Sequence, residues 1–124
     1  MEDSPCACLS ADFDGGNEFY DEKTRKARKP HRCCECGKTI QSGERYHYAA
    51  GKFEGDLFTQ KTCLLCDEIR RHFYCDGWTF CSLWDDIVEQ LFSYSFRFEC
   101  LQGLSVEARE MVLARWRSWK GLTA

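Results

Sequence analysis

Two Cys-x-x-Cys pairs, Cys33/Cys36 and Cys63/Cys66, stand twenty-six residues apart in the chain. Each pair is the right size to clamp one edge of a tetrahedral Zn²⁺, with Zn–S bonds of about 2.3 Å. Paired spacings of this kind favour metal over disulfides. One zinc held by these four thiolates is therefore the expected anchor of the fold.

The residues around the pairs describe the parts of a finger. Gly37 follows the second cysteine of Cys33-Cys34-Glu35-Cys36, where it permits a tight turn with backbone N–H groups aimed at sulfur. That register makes Cys33 and Cys36 ligands and leaves Cys34 out. After a turn at Gln41-Ser42-Gly43, the run Glu44 to Ala49 alternates as a strand, with Tyr46 and Tyr48 on one face and His47 on the other. Gly51 and Gly55 flank Phe53, and Leu57-Phe58-Thr59 supplies a return strand. Thr62 is placed to cap a helix beginning near Cys63, with Asp67 and Glu68 in its first turn and Arg70, Arg71 and His72 in its last. Leu65, Ile69 and Phe73 share one face of it. Cys63 and Cys66 fall at its positive end, which favours thiolate and hence metal. Knuckle, hairpin and helix in this order form a treble-clef zinc finger. The expected architecture is small α+β, a treble clef over residues 31–74 with an extended arm at 1–30 and a helical, aromatic extension at 75–124, all one domain.

A chain of 124 residues suits a single modest core. Its 44% apolar and 15% aromatic content argues against wholesale disorder, and no window approaches a membrane span. Residues 1–10 carry no apolar signal region. Ten cysteines without such a signal point to a reducing compartment and metal thiolates rather than a disulfide lattice. The net charge of −3 is unevenly laid out: residues 1–22 hold seven acids and no Lys or Arg, and residues 23–32 hold six bases and no acids. Lys26, Arg28, Lys29 and Arg32 are thus candidate phosphate contacts, although a nucleic-acid binder is more often strongly basic overall. The other reading of this run is a solvated linker facing the acidic arm.

Beyond the finger, Ser82 is placed to cap a helix with Asp85 three residues on, and Trp84, Ile87, Val88 and Leu91 form an amphipathic stripe. Phe92, Tyr94, Phe96 and Phe98 alternate, as a short strand or an extended packing element. A last helix runs from Ser105 to about residue 120, with Ala108, Val112, Trp116 and Trp119 on one face. Trp and Arg dominate interfaces. Trp116, Trp119, Arg115, Arg117, Phe96 and Phe98 are therefore candidate partner contacts, a reading compatible with docking of the same helix on the core.

Cys6-Ala7-Cys8, with Cys75 and Cys81 after the finger helix, could close a second Zn²⁺ site and tie the arm down. His72 is a competing ligand, and Cys75, Cys81 and Cys100 could equally serve as small buried hydrophobes. Catalysis is not expected. Four thiolates leave zinc no open position for water. The hairpin reads Tyr46-His47-Tyr48 rather than the Asp-His pair of an HNH nuclease, and Asn17, in the arm, is the only asparagine.

The run A-R-K-P-H-R-C-C-E-C-G-K-T-I-Q-S-G-E-R-Y, the G-K-F-E-G hairpin and K-T-C-L-L-C-D-E-I-R-R-H-F together resemble small cysteine-rich proteins of tailed phages and prophages. The resemblance covers about residues 6–90. It implies zinc binding, with Cys6, Cys8, Cys75 and Cys81 accompanying the finger, and a phage accessory role in the cytoplasm of a bacterial host. The expected function is that of a non-enzymatic zinc-stabilised protein acting by contact with a host protein, such as inhibition of a defence or regulatory component. A nucleic-acid-binding zinc-finger regulator is the alternative, and an HNH-like nuclease a third reading. Oligomeric state is not legible.

Overall fold

A computed structural model describes Leu9 and residues 19–53, 55–74, 80–93 and 96–123 of the chain. Strands β4 (Arg45–Phe53) and β5 (Asp56–Cys63) form the expected antiparallel hairpin, in register from Tyr46↔Cys63 to Phe53↔Asp56. Gly55 closes it at φ +85°, left-handed backbone that a two-residue hairpin loop demands and glycine adopts without penalty.

The stretch expected as an arm contains a strand. β1 (Phe19–Lys26) pairs antiparallel with β4 along its whole length, from Phe19↔Lys52 to Lys26↔Arg45, giving a sheet of order β1-β4-β5. The basic run is therefore part of a sheet edge rather than a solvated linker. Its continuation is anchored too: Ala27 is buried, and its N–H donates to the Glu44 carbonyl at 2.8 Å. Leu9, buried at 3% exposure, bridges Tyr74 and donates its N–H to the Phe73 carbonyl at 3.0 Å.

Two short strands, β2 (His31–Arg32) and β3 (Thr39–Ile40), pair around the first cysteine pair. Between them the Cys33 N–H reaches the Lys38 carbonyl and the Gly37 N–H reaches the Cys33 carbonyl. Gly37 sits at φ +78°, as its place after Cys36 predicted. The Cys34 N–H donates to the Lys61 carbonyl at 2.9 Å, which fastens this knuckle to β5.

Helix α1 (Leu64–Phe73) follows β5 without a loop. Thr62 does not cap it. Thr62 is fully buried in β5, and Cys63 is the N-cap, its sulfur accepting from the Cys66 N–H. α1 buries Cys66, Ile69, Arg70 and Phe73, packing against β4, β5 and the last helix.

Helix α2 (Leu83–Ile87) runs into a π-helical turn, Val88–Phe92, and together they bury Leu83, Trp84, Ile87, Leu91 and Phe92. The predicted stripe is thus the buried face. Ser82 precedes α2 but makes no side-chain capping bond, because a carboxylate from the knuckle has taken that role. Phe98–Leu101 is a 3₁₀ turn, not a strand, and Tyr94 lies outside the described residues. Helix α3 (Val106–Thr123) starts where Ser105 predicted: the Ser105 Oγ accepts from the Ala108 N–H at 3.2 Å. Ser105 itself is held by Glu68 of α1, whose carboxylate accepts from its N–H at 2.6 Å and its hydroxyl at 2.8 Å. Ala108 and Val112 are fully buried against the core. Among the described residues no helix is long and apolar enough to cross a membrane.

Candidate metal centre

The knuckle turn brings in Cys33 and Cys36, and the β5–α1 junction brings in Cys63 and Cys66. All four sulfurs lie within 4.8 Å of one another. A tetrahedron with bonds of about 2.3 Å has S···S edges of about 3.8 Å, and Cys36 Sγ lies 3.9 Å from Cys63 Sγ. The four cysteines are positioned to hold one metal ion. Cys33 and Cys66 are buried, with Cys36 and Cys63 half-buried, so the site is closed on its inner side.

The surrounding backbone is arranged for negative sulfur. The N–H groups of Glu35, Cys36 and Cys63 point at Cys33 Sγ at 3.4, 3.5 and 3.3 Å, and the Cys66 N–H points at Cys63 Sγ at 3.5 Å. The last belongs to the first turn of α1, whose positive end faces the site. Hydrogen bonding within the cluster splits the thiols. Bonds from Cys36, Cys63 and Cys66 hold Cys33 far below an ordinary thiol. Cys36 is raised by Cys33 but lowered further by Cys63 and Cys66, to about 6. Cys63 and Cys66 are pushed far up, first by Cys33 and then by Cys36. Four sulfurs this close cannot all ionise beside one another. A divalent cation between them removes that conflict and favours four thiolates at once.

Directly behind the centre lies a buried ionic network that the sequence did not announce. Arg70 of α1 is 0% exposed, and its guanidinium donates to Glu35 Oε2 at 3.1 Å, Asp67 Oδ1 at 3.1 Å and His47 Nδ1 at 2.9 Å. With Nδ1 accepting, the His47 proton sits on Nε2, which donates to Glu22 of β1 at 2.5 Å. Arg71 closes the ring to Glu22 at 3.0 Å and Asp67 at 2.9 Å. Glu35, between the knuckle cysteines, accepts from the backbone N–H of Leu83 at 3.0 Å and of Cys81 at 2.9 Å as well as from Arg70. It thereby caps α2 from 48 residues away in sequence. Burial pushes the Glu35 carboxyl up, while the two N–H groups and Arg70 pull it back towards ionisation. His47, 3% exposed with both ring nitrogens engaged, is part of this network.

The remaining cysteines fall differently. Cys6, Cys8 and Cys75 of the expected second zinc site lie outside the described residues. Cys81 is exposed at φ +70°, with its sulfur donating to Gln60 Oε1 at 3.6 Å. Among the described residues it joins no metal-holding group. Burial, followed by the contact with Cys81, raises the Cys34 thiol, which makes it a poor nucleophile at neutral pH. His72, the competing ligand, has its Nε2 bonded to the Cys100 carbonyl at 2.8 Å. Cys100 is buried and disulfide-bonded.

The expected partner residues do come together. Phe92, Phe96, Phe98, Trp116 and Trp119 form a chain of ring contacts with centroids 5.2 to 6.1 Å apart. Trp116 and Trp119 are half-buried and Phe98 is 62% exposed. Arg117 is exposed, whereas Arg115 stacks on the core residue Trp84 at 4.5 Å. Lys26, Arg28, Lys29 and Arg32 are all exposed, but on different elements: Lys26 ends β1, Arg28 and Lys29 follow it, and Arg32 lies in β2. The chain matches no family model, no curated protein and no solved structure.

Proposed function

We propose that this chain is a non-enzymatic binding protein, a treble-clef finger built on one structural zinc, which docks on a protein partner through its C-terminal aromatic cluster. The observation that carries the docking is Phe98, 62% exposed on a 3₁₀ turn yet stacked edge-on against Trp116 at 5.5 Å. An aromatic held rigidly at the surface by its neighbours costs little entropy to bury against a partner. The zinc reading is supported by four soft thiolates in tetrahedral reach, and the treble-clef reading by the order of knuckle, hairpin and helix. Four such ligands leave no open position for water, in keeping with a structural rather than catalytic ion. The resemblance to cysteine-rich phage proteins extends the proposal to a partner in a bacterial host.

Affinity purification from host lysate tests it. A stoichiometric protein should accompany the wild type and be lost with Phe98→Ser, a surface change that leaves the fold intact. Recovery of no such protein, or its retention by Phe98→Ser and Trp116→Ala alike, would remove the aromatic cluster from the reading.

A further inference from the structure

The register of the sheet sorts its residues onto two faces. One face carries Glu22, His47 and Thr62 and is covered by α1. The other carries Lys23 and Arg25 of β1, Tyr48 of β4 and Lys61 of β5, with Lys23 directly opposite Tyr48 and Tyr48 directly opposite Lys61. The Tyr48 ring is therefore flanked by bases on both sides. The Arg25 guanidinium lies 4.2 Å from its centroid and Lys61 Nζ 5.8 Å.

Lys23, Arg25 and Lys29 are exposed and Lys61 is half-exposed. None of the four makes an ion pair among the described residues.

We infer that this outer sheet face binds single-stranded nucleic acid, with the half-buried Tyr48 ring and the Arg25 guanidinium layered on it as the stacking surface and Lys23, Arg25 and Lys61 as phosphate contacts. A ring layered with cations that make no ion pair among the described residues meets both halves of a nucleotide: the base stacks on the planar pair while the charges track the backbone. A shallow sheet suits an unstacked strand, because reading a duplex needs an element inserted into a groove. An acidic peptide would use the same cations but gain little from the ring. The surface is separate from the aromatic cluster, so the two bindings stand or fall independently.

Fluorescence anisotropy with labelled single-stranded DNA and RNA, and with a duplex of equal length, tests the inference on the full chain. Expected is binding to single strands at low salt, weaker on the duplex, with a salt slope of roughly −0.7 per phosphate contact. Lys23→Gln with Arg25→Gln should flatten that slope by about 1.4. Tyr48→Ala should weaken binding roughly tenfold, while Tyr48→Phe retains it. Lys26→Gln, on the opposite face, should matter less than Arg25→Gln. No binding at low salt, equal affinity in Tyr48→Ala and Tyr48→Phe, or equal losses in Lys26→Gln and Arg25→Gln would overturn it.

Discussion

The two faces of one sheet carry charge for opposite purposes. On the inner face, Glu22 and His47 are tied to Arg70, Arg71, Asp67 and Glu35 until the hydrogen-bonding groups of His47 and Arg70 are engaged. On the outer face, one residue along each strand, Lys23, Arg25 and Lys61 offer charge to solvent and make no ion pair among the described residues. The strand residues are similar in kind and differ in the face they occupy, although at its Cys63 end the outer face is covered too, with Tyr46 buried. Burial with full pairing makes a charge part of the architecture, and exposure without pairing leaves it available to something else.

The largest effect separating the faces is expected at Arg70. Arg70→Met leaves the buried Glu35 carboxylate without its counter-charge, and breaking a buried pair in this way costs about 3–5 kcal/mol. Urea unfolding of the variant measures it, and a loss below about 1 kcal/mol would show that the network is not structural. Glu22 gives a smaller effect with a definite sign. Burial raises its carboxyl, but the hydrogen bonds from His47 and Arg71 outweigh that and leave it below its ordinary 4.5. A depressed carboxylate stabilises fully above its unfolded value and loses that contribution as pH falls through its folded one. Wild type should therefore lose stability on acidification below about 4.5 more steeply than Glu22→Gln, read from thermal midpoints across pH. Smallest of all, Lys23→Gln and Arg25→Gln should change stability by no more than about 0.5 kcal/mol. A larger loss would mean that the outer face, too, is holding the fold together.

The metal-centred half of the molecule was legible in the sequence, since its determinants are local. Cys-x-x-Cys spacing, Gly37 after the knuckle, the Tyr46-His47-Tyr48 alternation and Ser105 before α3 each act over a few residues. What escaped was non-local. β1 reads as a polar run because its inner face is served by an ion network rather than by apolar side chains, and only pairing with β4 makes it a strand. Glu35 stands between two cysteines of one Cys-x-x-Cys pair, with no local signal of a structural role. Its role as the cap of α2 depends on a contact across 48 residues, which displaced Ser82 from the position its local pattern assigned. Thr62 lost the start of α1 to Cys63 for a related reason: a sulfur placed at a helix N-terminus by the cluster also accepts the capping bond.

All of this depends on Cys33, Cys36, Cys63 and Cys66 gripping an ion. Native mass spectrometry of the full chain purified with zinc present, set beside Cys33→Ser and Cys66→Ser, addresses that directly. Expected is one zinc more in the wild type than in either variant, with all four thiols reduced. Equal metal content, or disulfide bonds among these four cysteines in the wild type, would contradict it.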